Sequence, residues 1–529
     1  MPKFKPMAAK EQFADMTFPT KGVDVSAGFG MQRSGTTPTG QNVRAFEPGT
    51  FRARGGQRPG SSKYIAGQVS GANLVQEVGV TVGTKGVSVE QSQSGRVVTL
   101  VAVSQGLVFS VKAGGTVWTQ AALGAVGNPP LNSTGVVLSA LNNQLLWFAD
   151  GKHFVYYDPA LNTVLPWAST KGSLPVDSAG NAPRLIETWR GRTIFSGLLL
   201  DPQNWFMSAT NDPTNWDYSP VSTTPTQAIA GNNAPQGLIG DVVTALIPFT
   251  DDVMIMGGDH TIWMMAGDPM AGGQIDLISN AIGIAWGRAW TIDPYNNIFF
   301  FGNRGGIYLL KPGEQPQRIS QQIEQLLATI DTGKNTIRLL WDDRFQGVHV
   351  FVTLTAAAGA TTHFFYEVRS GAWWTDVFAN NNHNPLCCIS FDGNLAGDRV
   401  PLIGSWDGYV RALTPTAVDD DGTPIASAVV VGPLLTADLD DVLFKDIQAL
   451  LGVTSGQVTY SVYVGATAEI ALASNPVVSG TWGPGRNFTN FIRSSGHAIW
   501  VKITASSAWA FESLRCRIAG QGKVRRRGR

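Results

Sequence analysis

The sequence predicts an all-β protein: a β-propeller built from repeated hairpin blades, with a small C-terminal β-sandwich-like module and one inserted helix. Three observations lead there. Leu145 to Asp158 reads LLWFADGKHFVYYD, an apolar run, an Asp-Gly pair able to supply the positive-φ residue of a two-residue turn, and a second run ending on two tyrosines. The same design recurs as LVFSVKAGGTVWTQ from Leu107, MIMGGDHTIWMM from Met254, IFFFGNRGGIYLL from Ile298, HFFYEVRSGAWWTDVF from His363 and LIGSWDGYVRAL from Leu402, each with Trp or Tyr just after its turn. Most successive copies start roughly 40 to 60 residues apart, a period of propeller blades and other repeat arrays. Finally, 60 glycines and 16 tryptophans accompany only 15% charged residues, the profile of a turn-rich β protein with much surface buried against neighbours. A hairpin cannot bury its own apolar face, so several units must stack. A large β-sandwich is the alternative, but it does not require aromatic residues at the same place in successive units.

In chain order, residues 1–41 form a polar, Gly- and Pro-rich arm with too few periodic apolar residues to fold alone. Residues 42–95 hold a turn-rich ribbon and the first strands. The ribbon, NVRAFEPGTFRARGGQRPGSSKY, interleaves Arg44, Arg52, Arg54 and Arg58 with Pro48-Gly49, Gly55-Gly56 and Pro59-Gly60, which excludes a helix. Its arginines are planar donors suited to pinning the segment to carboxylates or carbonyls, and they are the candidate assembly-interface residues; a solvated face is the alternative. Residues 96–413 are the propeller region. Within it, APRLIETWRGRTIFS from Ala182 turns on Arg190-Gly191, Gly237 to Met256 gives a further strand pair, and Tyr218 to Pro235 reads as a long exposed loop. Asp212-Pro213-Thr214 reads as a turn with Trp216 as a core anchor. ISQQIEQLLATI, Ile319 to Ile330, places Ile319, Ile323, Leu326, Leu327 and Ile330 on one helical face, with Ser320 as its cap and a join between two groups of blades as its place. Residues 414–424 are an acidic linker, and Asp419 to Asp421 a solvated turn without the ligand spacing of a calcium loop. Residues 425–520 alternate as strands of the C-terminal module, and the basic residues of 521–529 are a frayed tail or docking strap.

Lys plus Arg equals Asp plus Glu at 39 each, so no overall field points to nucleic acid or an anionic membrane; near-zero net charge points instead to assembly. The N-terminus has no apolar export segment, and no stretch is apolar enough to cross a bilayer. Cys387, Cys388 and Cys516 match neither a disulfide framework nor a zinc site and read as buried thiols. His153, His260, His349, His363, His383 and His497 form no ligand spacing, and nucleophile-elbow, phosphate-loop and dinucleotide motifs are absent. Ser405-Trp406-Asp407-Gly408 approaches a sialidase box but continues Tyr409-Val410 without its tryptophan. The expectation is no enzyme, no cofactor and no metal.

The segment Asn42-Val43-Arg44, turn, Arg52-Ala53-Arg54, Arg58-Pro59-Gly60, ahead of a long aromatic β-repeat region, resembles the tail nozzle or tail-hub proteins of short-tailed bacteriophages. Asp212-Pro213-Thr214-Asn215-Trp216-Asp217 inside the repeats is a second point of similarity. The resemblance implies a structural virion protein made in the host cytoplasm: a homo-oligomeric ring, a hexamer, at the exit of the tail. Its implied partners are further copies of itself, the tail adaptor protein, and tail fibres or a needle. DNA is expected to pass during ejection without sequence-specific binding, along polar loops such as Thr223 to Pro235 or the acidic Asp419 to Asp421. A glycan-binding or glycan-cleaving β-propeller is the alternative function.

Overall fold

Short runs of β-branched and aromatic residues, bounded by Gly, Asn and Asp, favour pleated strands joined by tight turns. The computed structural model describes residues 11–47, 52–84, 96–219, 226–311, 313–394, 399–436, 441–489 and 491–520; it is all-β, about 47% strand and 5% helix.

Among the described residues a four-stranded antiparallel meander recurs seven times. The first strands of the successive sheets are Val75–Thr84, Leu138–Asn142, Leu185–Trp189, Val243–Pro248, Trp290–Ile292, Asn335–Asp342 and Pro385–Phe391. These first strands pack side by side from the first sheet to the fourth and from the fifth to the seventh, and the seventh lies against the first. Between the fourth and fifth sheets, Ala245, Ile247, Ile255, Ile284, Ile298 and Phe300 form one buried cluster. The seventh sheet draws only Pro385–Phe391, Val400–Ser405 and Val410–Leu413 from its own stretch; its fourth strand is Ser61–Lys63 of the N-terminal ribbon, with Leu413 opposite Ser61 and Arg411 opposite Lys63.

All six expected hairpins form as strand pairs. They are not all equivalent: those from Leu107 and His363 join the third and fourth strands of their sheets, the other four the second and third. Asp150-Gly151 does not make a two-residue turn. Asp150 Oδ1 instead accepts from the backbone of Lys152 at 2.8 Å and His153 at 2.7 Å, shaping a longer connection between Leu145–Ala149 and Val155–Asp158. Two-residue turns with two positive φ values fall at Gln105-Gly106, Asn143-Gln144 and Arg190-Gly191. The aromatic residues fill the spaces between sheets. Trp147 and Trp167 lie 4.3 Å apart, Trp167 and Phe195 4.9 Å, and Phe195 stacks on Trp216 at 5.3 Å. Trp216 is fully buried and its indole donates to Pro213 O, while Asp212 accepts from Thr214, so this segment is the expected turn and anchor.

Several expectations are corrected. Residues 319–330 do not form one helix: a 3-10 turn, Gln321–Ile323, runs into the single α turn Glu324–Leu327. Ser320 does not cap it, because its hydroxyl accepts from Ile307 N at 2.9 Å; Ile323 and Leu327 are nonetheless buried against the sixth sheet's core. The segment lies between the fifth and sixth sheets. The loop expected from Tyr218 to Pro235 contains the buried strand Ile229–Ala230, the fourth of its sheet, and residues 220–225 lie outside the described residues. The solvated acidic turn is also corrected: Asp420 is fully buried and accepts from Arg58, and Asp421 pairs with Arg411 at 2.9 Å.

The C-terminal region is sandwich-like, but the arm is woven into it. One sheet runs Glu11–Met16, Phe511–Gly520, Val442–Leu451, Gly485–Phe488. The other runs Ser427–Leu435, Ala498–Ala505, Val458–Gly465, Val478–Trp482. Phe444, Ile447, Leu514 and Cys516 from one face meet Val429, Val431, Val501 and Ile503 from the other in a shared core. Gly40–Gln41 pairs with both Ala372–Asp376 and Ser427–Leu435, making the sixth sheet and this half of the sandwich one continuous nine-stranded sheet. A short helix, Ala468–Ala473, capped by Thr467 and tied to Trp500, was not legible in the sequence. The basic tail at 521–529 lies outside the described residues.

Candidate functional site

The four expected arginines diverge in their surroundings. Arg44 is 4% exposed and grips Asp376 with both terminal nitrogens, at 2.8 and 2.6 Å, its guanidinium 4.2 Å above the Phe365 ring. Arg58, also 4% exposed, forks onto Asp420 at 3.1 and 2.7 Å and donates through Nε to Asn42 Oδ1 at 2.9 Å. Arg54 bridges Glu47 at 2.7 Å and Glu512 at 2.5 Å, joining the ribbon to the last strand of the sandwich. Arg52 is exposed. Burial pushes the Asp376 carboxyl up, but the Arg44 guanidinium overrides it and holds the group below the usual carboxylate range. Burial likewise opposes charge on Arg58, and the carboxylates of Asp420 and Asp376 outweigh it, raising its pKa. Bidentate Arg–carboxylate pairs of this kind are directional as well as strong. They fasten the ribbon to the sixth and seventh sheets from inside the chain.

A second cluster, not singled out in the sequence, lies where the first strands meet. Glu77, Ser139, Glu187 and Arg338 sit in the first strands of the first, second, third and sixth sheets, and Arg288 just precedes that of the fifth. Arg288 donates to Glu77 Oε1 and Glu187 Oε1, both at 2.9 Å, and to the Ser139 carbonyl. Arg338 donates through Nε to Leu386 O in the seventh sheet at 3.2 Å. Glu77 is 3% exposed. Burial raises the Glu187 pKa against the pull of Arg288, and Arg288 is itself held firmly protonated by the two glutamates despite burial. Cys388, packed nearby, has its thiol pushed up to about 12 by burial, which leaves it protonated and unreactive at neutral pH. The sequence signal for this cluster is a single charge inside an otherwise apolar strand, as in VQEVGV, LIETW and TIRLLW.

His349 and His363 are buried within the sixth sheet. Val352 N donates to His363 Nδ1 at 3.1 Å, so Nε2 carries the proton facing Asn384 Oδ1 at 3.0 Å and the ring is held neutral. His349 stands 3.6 Å from Asp342. Among the described residues no His, Cys, Asp and Glu cluster has the form of a metal site.

A third surface is the outer face of the sandwich sheet that carries Glu11–Met16. Phe13 is 55% exposed, Phe488 57% and the neighbouring Phe491 65%. Each has a guanidinium beside it: Arg515 at 5.9 Å, Arg486 at 4.9 Å and Arg493 at 4.8 Å from the respective ring centres. Large exposed aromatics are a residue type found at contact surfaces.

No protein-family profile matches the chain, and no curated protein matches it. Solved structures that resemble it include two of one protein, the extracellular domain of a hybrid or one component system of B. thetaiotaomicron, at 9% and 11% identity with TM-scores of 0.45 and 0.43. A third, the extracellular domain of another hybrid two component system of that organism, is 10% identical with a TM-score of 0.37. They cover 76%, 76% and 78% of this chain, which spans 45%, 45% and 47% of theirs, less than half their length. Similarity at this level carries no argument about function.

Proposed function

We propose that the seven sheets close into a seven-bladed propeller and that the chain is a structural virion protein, the ring-forming tail nozzle of a short-tailed phage. In this reading Ser61–Lys63 completes the last blade with a strand from the opposite end of the chain, the usual means by which a ring of sheets avoids an open edge. The observation that carries the assembly role is the outer sandwich face, where Phe13, Phe488 and Phe491 stand in the open beside arginines. Aromatic residues and Arg are the types enriched at protein interfaces, and a second copy of this chain is the proposed occupant. Arg44 and Arg58 then serve assembly indirectly, by holding the ribbon in place, while Arg54 and Arg52 lie closer to the surface. In this reading the Arg288 cluster, which ties Glu77 and Glu187 together, lies at the centre of each copy, and DNA passes between copies around a shared axis rather than through one propeller. Glu77 and Glu187 are both clamped by Arg288, which weighs against a glycan-cleaving pair of free acids.

Mass photometry of the purified chain with its adaptor partner tests this reading. A species of six chain masses is expected, with Phe13→Asp plus Phe488→Asp cutting its yield severalfold while leaving the thermal midpoint unchanged. Single copies alone on the adaptor, or full ring yield from the double variant, contradict it.

A further inference from the structure

A cyclic ring of more than two copies cannot be closed by joining a patch to itself, because each copy must meet its two neighbours through two different, complementary surfaces. The outer sandwich face supplies one: register puts Phe13, Arg515, Gln448 and Phe488 on the same side of the sheet, while the alternating Cys516 and Ile447 point into the core. A second apolar surface lies around the third sheet, where three connections adjoin. Leu200 N donates to Asp177 Oδ2 at 3.1 Å, Ile239 N to Gln203 O at 3.2 Å and Val243 N to Pro202 O at 2.9 Å. From these connections Val176 is 50% exposed, Leu199 57%, Leu200 58%, Leu238 44% and Val242 40%. Leu198 and Ile239, next to them in sequence, are buried in the core, so the exposed aliphatics are held outward by anchored backbone. Several aliphatic side chains exposed together on a folded chain mark a contact surface.

The two surfaces carry opposite charge. On the sandwich, Arg515 and Arg517 are matched by Asp15 and Asp446, whereas Arg486 and Arg493, beside Phe488 and Phe491, meet no carboxylate among the described residues. Stretches 176–181, 197–204 and 231–242 hold Asp177, Asp201 and Asp241 and no lysine or arginine; Arg184, which donates to Gly197 O at 3.1 Å, offsets one of the three. The sandwich is joined to the sixth sheet through Gly40–Gln41, while these connections flank the third, which leaves both surfaces open to be engaged at once. We propose that the aliphatic surface of Val176, Leu199, Leu200, Leu238 and Val242 seats the aromatic sandwich face of the next copy, so that copies join head to tail. This pairing rests on the ring reading above and adds the place where Phe13, Phe488 and Phe491 land. Aromatics against aliphatics form the apolar centre of the contact, and arginines facing aspartates at its rim fix the partner and its orientation.

Mixing two variants of the full chain tests the pairing. Phe13→Asp plus Phe488→Asp disables the aromatic face, and Leu199→Arg plus Leu200→Arg sets cations against the arginines of that face. Each variant alone should assemble at least about tenfold less well than the unaltered chain, with its thermal midpoint kept because all four side chains are exposed. Mixed in equal amounts, under conditions where the unaltered chain assembles, they should form pairs of unlike chains in sedimentation and nothing larger, since each supplies the one surface the other lacks. Leu238→Arg plus Val242→Arg, on a separate connection, should act as the leucine pair does and replaces it if that pair unfolds. Full assembly of a folded loop variant, pairing of a loop variant with itself, or a mixture that stays as single chains would each overturn the proposal. Unlike pairs alongside an assembly of other than six copies would support the pairing and sink the sixfold ring; a six-copy ring indifferent to the loop substitutions would sink the pairing and keep the ring. An unaltered chain that never assembles, alone or on its adaptor partner, would overturn both.

Discussion

Arg58 shows how much rests on one side chain. Its guanidinium meets Asp420, Asn42 and the carbonyl of Pro59, and replacing it by Ala leaves the fully buried Asp420 side chain without its fork. Breaking one partner of a buried pair costs about 3 to 5 kcal/mol, whereas an exposed substitution stays within about 0.5 kcal/mol. Arg58→Ala should therefore lower the urea midpoint sharply and Arg52→Ala hardly at all; equal midpoints would show that the ribbon is not pinned. His363 makes the second residue-scale prediction. Burial lowers its pKa from 6.5 to about 4, with the Asn384 contact only partly offsetting this. Above pH 6.5 both folded and unfolded states are neutral there; below it the unfolded chain takes up a proton that the folded ring refuses until about pH 4. Stability should thus fall across that window, by on the order of 3 kcal/mol from this group. In His363→Gln a pH series of urea midpoints should lose much of this slope, and an unchanged slope would remove His363 as its source. That arginines in a Gly- and Pro-punctuated ribbon are pinned was legible from residue type. Their partners were not, because Asp376 and Asp420 lie more than three hundred residues further along the chain, and a run of three aspartates looks solvated until the fold brings an arginine to it.

Elements were legible where local chemistry decides them. Gly-bearing turns between aromatic strands located the six hairpins, and Arg190-Gly191 was read correctly as a turn. Asn143-Gln144 was missed because both residues adopt positive φ without a glycine, so the tight turn fell one strand earlier than Asp150-Gly151 suggested. The helix at 319–330 was overestimated: its apolar spacing is real, but Ser320 is drawn away to Ile307 and only two short turns remain. Least legible was Ser61–Lys63, too short and polar to announce a strand, whose place is set by the edge it covers. A close approach fixes that strand. A methyl group on Gly60 would meet the carbonyl oxygen of Asp419 at 1.7 Å, whereas one on Gly67 would meet nothing within 4 Å. Gly60→Ala should therefore destabilise by about 3 kcal/mol or more, the range of severe core and backbone conflicts, and Gly67→Ala should be neutral or slightly stabilising. Thermal midpoints of the two variants decide it, and a harmless Gly60→Ala would mean that the ribbon does not lie against 419 as described.

At the scale of the molecule, the repeat and its aromatic spacing announced a stack of sheets, and the alternation after residue 425 announced a second module. The joins were not announced. The arm strand Glu11–Met16, the bridge Gly40–Gln41 and the closing strand Ser61–Lys63 are each set by partners hundreds of residues away, so a local reading saw an arm unable to fold alone and a turn-rich ribbon where the structure has three seams. The central charge cluster escaped for the same reason, since its members come from different sheets. These seams join the seven repeated sheets to the sandwich, and the outer sandwich face is the surface we propose for another copy. Electron cryo-microscopy of the purified chain bound to its adaptor partner tests that conclusion most directly. The expected image is a closed sixfold ring in which each copy is a seven-bladed disc, with density from a neighbouring copy over Phe13, Phe488 and Phe491. Isolated copies, or a ring that leaves those three aromatics in solvent, would contradict it.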